Sequence, residues 1–144
     1  MPTATAPNLG LALEPLVWKA DWETGDERID GQHRSLVAGV NRLAYAIETG
    51  RTHDELWRML SFLTVYVHTH FRTEEAIMAE TGYPDLARHE AEHLRASSTI
   101  DRLVNAYRDG TLGDLREVVL FLHFWINTHF LGTDLRLAKH LGTR

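Results

Sequence analysis

The sequence predicts an all-α fold: an antiparallel up-down four-helix bundle with an N-terminal arm and a short C-terminal helix. Four long segments carry apolar residues at the three-to-four-residue spacing of an amphipathic helix. Short links that contain glycine or aspartate separate these segments, and such links place consecutive helices antiparallel. Because no stretch alternates apolar and polar residues over a useful length, the sequence offers no candidate for a β-strand.

The arm and the first helix come first in the chain. Residues 1–15 are small, contain proline and show no periodicity, so we expect a flexible arm followed by one bundle domain at 16–144. The first helix is expected to begin between Thr24 and Asp26 and to end near Glu48. Its apolar stripe consists of Ile29, Leu36, Val40, Leu43 and Ile47.

The later helices are predicted from caps and breaks. Thr52 and Glu55 fit a capping box at the start of the second helix, and Gly82 ends that helix. An interruption at Gly132 and Thr133 is expected after the unusually apolar fourth helix. The predicted spans are 53–81, 85–108 and 115–131, followed by a short terminal helix at 134–141.

Composition and charge exclude several classes of function. The chain has 144 residues, enough for one domain with a substantial core, and its formal net charge of −5 gives no electrostatic footprint for nucleic acid. The absence of cysteine excludes disulfides, thiolate metal sites and cysteine nucleophiles. No run approaches the ~20 apolar residues that span a bilayer, and the N-terminus lacks a signal peptide pattern. We therefore expect a cytoplasmic protein without a membrane partner.

Histidine is the one unusual feature of the composition, with nine residues in the chain. Several histidines lie at helical spacing on the apolar faces of different helices, together with two carboxylates. Bundle proteins build metal sites in their cores from side chains that face inward on several helices. The candidate metal ligands are His33, His70, Glu74, His89, His93, His129 and Asp134.

Burial of these groups would require a partner for their charge. A single histidine on an apolar face is usually a structural residue, but a bare buried carboxylate costs several kcal/mol against a domain stability of about 5–15 kcal/mol. A cation is the simplest partner, and seven ligands suit two ions better than one. Histidine and carboxylate without thiolate leave iron, zinc and manganese open.

Polar residues near the candidate ligands are expected to face away from the core. His68 and His123 project well away from the faces of the neighbouring candidate histidines. Glu75, Glu90 and Glu92 lie about 100° or more from the ligand face, so we expect all three in solvent.

The sequence resembles the hemerythrins, in particular the single-domain bacterial kind, from about Leu16 to Leu141. The seven ligand positions occur in the order and spacing of that family, which makes the resemblance specific. The matching pieces are Trp18, Ile29-Asp30-Gly31-Gln32-His33, His70-Phe71-Arg72-Thr73-Glu74-Glu75, Gly82-Tyr83-Pro84, His89 with His93, Trp125 with His129, and Asp134.

The resemblance implies a non-haem centre of two iron ions with a bridging oxo or hydroxo group and with O2 as ligand. It implies reversible O2 binding rather than an enzymatic role, with small anions such as azide as further ligands and an unknown protein partner. In that arrangement His89, His93 and His129 hold one iron, His33 and His70 hold the iron with an open position, and Glu74 and Asp134 bridge the two.

The resemblance also indicates an O2 pocket. Trp125 and Ile126 would wall it, with Phe71 as a packing neighbour. Gly132 stands where many relatives carry a bulkier apolar residue, and Leu137 stands where many carry tyrosine. We therefore expect a wider entrance near the open iron, with faster ligand exchange and faster autoxidation.

Other functions stay open at the level of sequence. One is a sensor of O2, redox state or nitric oxide that acts through a partner, with the N-terminal arm as the contact. Another is a di-iron enzyme that acts on peroxide or nitric oxide. A structural bundle that holds zinc or no metal is the remaining interpretation.

Overall fold

The computed structural model describes residues 14–143, and every regular element in this range is helical. This confirms the predicted all-α fold; residues 1–13 of the expected arm lie outside the described residues. None of the described helices is long and apolar enough to cross a membrane. The main helices are α1 (Glu27–Glu48), α2 (His53–Thr81), α3 (Leu86–Arg108), α4 (Arg116–Thr128) and α5 (Leu135–Leu141), with a 3-10 turn at Ala20–Trp22 and a π-helical segment at His129–Asp134.

Local side chains account for where the helices begin and end. The Asp26 carboxylate accepts hydrogen bonds from the backbone N–H groups of Arg28 and Ile29 at 2.9 and 3.2 Å, which caps α1. Thr52 caps α2 in the same way. Gly82 ends α2 in the left-handed conformation at φ 67°, which costs glycine no Cβ clash.

The four long helices close into a ring. Within residues 14–143, α1 packs against α2 and α4, and α3 packs against the same two helices. The links at 49–52, 82–85 and 109–115 are short, so consecutive helices run antiparallel. The up-down arrangement predicted from the sequence is therefore the observed one.

The interior is divided into three layers along the bundle. A large apolar core fills one end and includes Leu36, Leu63, Phe71, Ile100 and Leu122. A small apolar cluster fills the other end and consists of Ile29, Ile77, Met78, Tyr83 and Leu137. The candidate ligands lie between the two, as His33 does between Ile29 and Leu36 on α1.

The predicted interruption after the fourth helix is not a break in the helix. His129–Asp134 forms a π-helical segment that joins α4 directly to α5, and Gly132 and Thr133 lie inside it. A π-helix closes its hydrogen bonds between residues five apart rather than four. The sequence predicted that a broken helix would change the direction of the chain here. The structure has instead a continuous helix whose pitch changes locally.

Candidate metal centre

The seven candidate ligands converge in the buried middle layer. Each is at most 4% exposed, and both carboxylates are fully buried. Their ligand atoms form two groups in which all atoms lie within 4.8 Å of one another. One group is Glu74 with His89, His93 and His129, and the other is Glu74 with His33, His70 and Asp134. We call these the three-histidine half and the two-histidine half.

Glu74 belongs to both halves because its two oxygens face different histidines. Its Oε1 lies 3.0 Å from His89 Nε2 and 3.1 Å from His93 Nε2. Its Oε2 lies 2.7 Å from His70 Nε2 and 3.2 Å from His33 Nε2. The carboxylate therefore spans the centre with one oxygen on each side.

Asp134 spans the centre in the same way. Its Oδ1 lies 3.0 Å from His129 Nε2 and 3.3 Å from His89 Nε2, whereas its Oδ2 lies 3.0 Å from His33 Nε2. The five histidine Nε2 atoms thus surround two carboxylates. Each carboxylate has one oxygen in the three-histidine half and the other oxygen in the two-histidine half.

Helical spacing explains why these side chains meet. His70 and Glu74 are four residues apart on α2, as are His89 and His93 on α3, and side chains at that spacing share a face of an α-helix. Asp134 is five residues after His129, which would place it about 140° away on a regular α-helix. The π-helical segment brings that fifth residue back into line.

Several buried atoms at the centre lack a hydrogen-bond partner within the described residues. They are His70 Nε2, His129 Nε2 and both carboxylate oxygens of Asp134. These atoms lie close together, but their geometry is not that of hydrogen bonds. Metal-ligand atoms have this arrangement when they all point at one cation. Since unpaired buried carboxylates cost several kcal/mol, the donor set fits a cation in each half.

The charges of the centre shift the protonation of its members. Burial disfavours the charged form of Glu74, but the surrounding imidazoles of His70 and His33 outweigh it and hold the pKa of this carboxyl well below its usual range. Burial also opposes protonation of His33, but its close contacts with the Asp134 and Glu74 carboxylates raise its pKa to about 9, and the same balance raises the pKa of His89 to about 9. Burial has the opposite outcome at His70, whose pKa it lowers.

The outer ring nitrogens of three histidines contact residues that the sequence did not single out as part of the site. His70 Nδ1 donates to Gln32 Oε1 at 2.8 Å, and His93 Nδ1 donates to Glu75 Oε2 at 3.0 Å. Glu92 Oε2 lies 3.5 Å from His129 Nδ1, and this contact lowers the pKa of the Glu92 carboxyl to about 2. Such contacts fix the orientation of a ligand histidine.

The expectation that all three nearby glutamates face solvent was wrong for two of them. Glu75 on α2 contacts His93 on α3, and Glu92 on α3 contacts His129 in the π-helical segment. Glu90 is exposed as expected. Glu92 is three residues after His89, which places it about 60° from that histidine on the helix. The spacing along one helix carries no information on how the neighbouring helix is rotated, so no sequence signal pointed to these contacts.

Two of the predicted pocket residues pack against the three-histidine half. The Phe71 ring stacks on His93 with centroids 4.1 Å apart, and the Trp125 ring stacks on His129 at 4.2 Å. Ile126 is buried in the large apolar core. Gly132 lines a surface cavity of about 490 Å³ that His129 also lines.

Phe130 covers the two-histidine half. Its ring stacks on His33 with centroids 3.7 Å apart and planes 15° apart, and Trp22 packs edge-on against its other side at 5.5 Å. Phe130 is fully buried. Phe130 was not among the predicted pocket residues, because a residue directly after His129 lies about 100° from it on a regular helix.

The fold and the site together define a cation-binding four-helix bundle whose centre is built from histidine and carboxylate. The family model described as the hemerythrin HHE cation binding domain matches residues 24–141. The chain therefore belongs to the hemerythrin family, as its resemblance to that family indicated.

Relatives and solved structures agree with this assignment. A bacteriohemerythrin of Methylococcus capsulatus is 29% identical over 120 residues, which cover 83% of this chain and 91% of the relative. A bacteriohemerythrin of Pseudomonas aeruginosa is 31% identical over 120 residues and covers 83% of this chain and 76% of the relative. A crystal structure of wild-type hemerythrin superposes with a TM-score of 0.83 at 28% identity, over 89% of this chain and 98% of that chain.

Proposed function

We propose that this chain holds two iron ions in the candidate centre and binds O2 there reversibly, for storage, delivery or scavenging. The observation that carries the proposal is the placement of Glu74 and Asp134, each with one oxygen in either half. Bridging carboxylates with terminal histidines suit a pair of iron ions, which together supply the two electrons that O2 takes up when it binds.

The residues of the chain divide the ligand work unequally. His89, His93 and His129 would complete the coordination of one ion, whereas His33 and His70 leave the other with fewer protein donors. The two-histidine half is therefore the side on which a small ligand would bind. Phe130 packs over His33 at that side and would exclude water from it.

The surroundings of the centre favour binding over turnover. Outside the seven ligands, the buried carboxylate of the described range is Asp30, and it makes its hydrogen bonds elsewhere. Its carboxylate accepts hydrogen bonds from the backbone N–H groups of Thr24 and Gly25 and from the Thr24 hydroxyl. No further buried carboxylate or histidine in residues 14–143 is available at the centre to deliver a proton to bound O2.

The pocket residues complete the proposal. Trp125, Ile126, Phe71 and Gly132 are retained as the predicted pocket, and Phe130 joins them because of its stacking on His33. Small anions such as azide would bind in the two-histidine half, at the position that is open to O2.

Anaerobic loading with Fe²⁺ tests the proposal. We expect about two irons per chain, an absorption band that appears with O2, and loss of that band when O2 is removed. A band that decays at once to a stable diferric spectrum would favour sensing or redox chemistry, and sustained consumption of peroxide or nitric oxide with a reductant would favour an enzyme.

Glu74→Gln is the matched variant for this experiment, with Glu90→Gln as its control. The first change removes the charge of the fully buried carboxylate that both halves share, so we expect fewer than two irons and no O2-dependent band. The second removes an exposed carboxylate from α3 and should leave both unchanged. Wild-type protein that fails to retain two irons would contradict the proposed centre.

A further inference from the structure

The two halves of the centre differ in the charge of the groups that hold their histidines from outside. In the three-histidine half, His93 Nδ1 donates to the Glu75 carboxylate at 3.0 Å, and the Glu92 carboxylate lies 3.5 Å from His129 Nδ1. In the two-histidine half, His70 Nδ1 donates instead to the side-chain amide of Gln32 at 2.8 Å.

A chain of hydrogen bonds fixes the orientation of the Gln32 amide. The Thr73 hydroxyl donates to the backbone carbonyl of Thr69 at 3.1 Å, so its oxygen is left to accept a hydrogen bond from Gln32 Nε2, also at 3.1 Å. The amide must then present its oxygen to His70. The partner of His70 is therefore a neutral acceptor that is held in place.

The Glu92 carboxylate is held in place as well. The Thr133 hydroxyl donates a short hydrogen bond to Glu92 Oε2, and Arg136 Nη2 lies 3.9 Å from the other oxygen. This distance is beyond hydrogen bonding, so Arg136 only partly offsets the charge of the carboxylate. The Glu75 side chain is one-third exposed. The three-histidine half thus carries two additional negative charges, of which one is partly offset.

A carboxylate behind a ligand histidine makes the imidazole a stronger donor, and removal of such outer partners typically costs 10–100-fold in metal affinity. A neutral amide orients the ring without adding charge. This difference in outer charge therefore affects the affinity of each half for a cation. The number of histidines in each half affects that affinity as well.

We propose that Glu75 and Glu92 make the three-histidine half the tighter cation site, and that Gln32 keeps the two-histidine half weaker, so that two cations bind in a fixed order. This inference rests on the proposed two-metal centre. The cation in the two-histidine half, where a small ligand would bind, is then the last to enter and the first to leave.

Titration of the metal-free chain with Co²⁺, in competition with a coloured chelator, separates the two binding steps. We expect two resolved steps in the wild type. Glu75→Gln and Glu92→Gln should each weaken the tighter step roughly tenfold and leave the weaker step unchanged. Gln32→Glu should strengthen the weaker step by roughly the same factor and bring the two steps together.

Glu90→Gln is the control, since it removes an exposed negative charge from the same helix as Glu92 and should move neither step. Circular dichroism melts of the metal-free variants establish that each one folds. Equal weakening of both steps by Glu75→Gln or Glu92→Gln, an unresolved single step in the wild type, or no effect of any variant would overturn the inference.

The same titration separates this inference from the proposed function. Wild-type protein that does not bind two Co²⁺ would refute both the centre and its order of filling. Two ordered steps in a protein whose iron form does not bind O2 would leave the order of filling intact and refute O2 binding alone.

Discussion

Gly132 is the residue at which a single side chain is expected to alter access to the centre. It lines the surface cavity beside His129, and a Cβ atom built on it would meet only Arg136 Nη1, at 3.8 Å. A larger side chain therefore fits without a clash. The cavity reaches His129 of the three-histidine half, whereas the sequence predicted a wider entrance near the open iron, so a ligand that enters here would have to pass the three-histidine half to reach the two-histidine half.

We predict that Gly132→Leu slows azide entry into the iron-loaded protein, because leucine narrows this cavity. The variant should also gain about 1 kcal/mol in stability, since glycine is a poor residue inside a helix. Stopped-flow mixing with azide and urea unfolding measure the two effects. Gly113→Leu, in an exposed loop with open space around it, is the control. An unchanged azide rate in Gly132→Leu would show that ligands enter by another route.

At this scale the sequence predicted which side chains meet at the centre better than it predicted their outer contacts. His70 with Glu74 and His89 with His93 follow from helical spacing alone, and the structure brings these side chains together as expected. Gln32 and Glu75 could not be found in this way, because each contacts a histidine on another helix. Their contacts depend on the rotation of neighbouring helices about their own axes, which packing determines.

At the scale of the elements, the caps determine where the helices begin and end. The π-helical segment determines the position of Asp134. Thr52 and Gly82 lie where the sequence predicted the boundaries of α2. The π-helical segment was expected as a break, since glycine followed by threonine usually indicates one. The helix continues because Phe130 and Leu137, on either side of Gly132, are fully buried and must both keep inward positions.

Gly82→Ala should lower the free energy of unfolding by about 1–2 kcal/mol, because alanine is strained in the left-handed conformation that Gly82 adopts at φ 67°. No atom lies within 4 Å of the added Cβ, so the loss would come from the backbone alone. Gly113→Ala is the matched control, since Gly113 is also exposed and open but lacks a positive φ. Urea unfolding of the metal-free proteins measures the difference, and equal midpoints would contradict the argument.

At the scale of the whole molecule, the centre ties together α1, α2, α3 and the π-helical segment that leads into α5. A cation bound only by the folded chain stabilises it by mass action, by about 2.7 kcal/mol for each site at a hundredfold excess over Kd. We therefore predict that chelation of the metal lowers Tm. Thermal melts with and without a chelator measure this, and Glu74→Gln should show a much smaller difference. Equal Tm values for loaded and metal-free wild type would contradict the prediction.

The three-layer interior was only partly foreseeable. The sequence predicted that the ligand residues lie on apolar stripes, but it did not show that they form a layer nearer one end of the bundle. That placement follows from where Ile29, Ile77 and Leu137 fall relative to His33, Glu74 and Asp134 once the helices are in register.

The unequal apolar layers bear on how a metal reaches the buried centre. The large core holds one end of the four helices together, whereas five side chains, among them Leu137 of α5, hold the other end. Local opening costs least where the fewest apolar contacts must separate. We therefore expect the end that carries α5 to open more readily than the other end in the metal-free chain, and metal binding to oppose that opening.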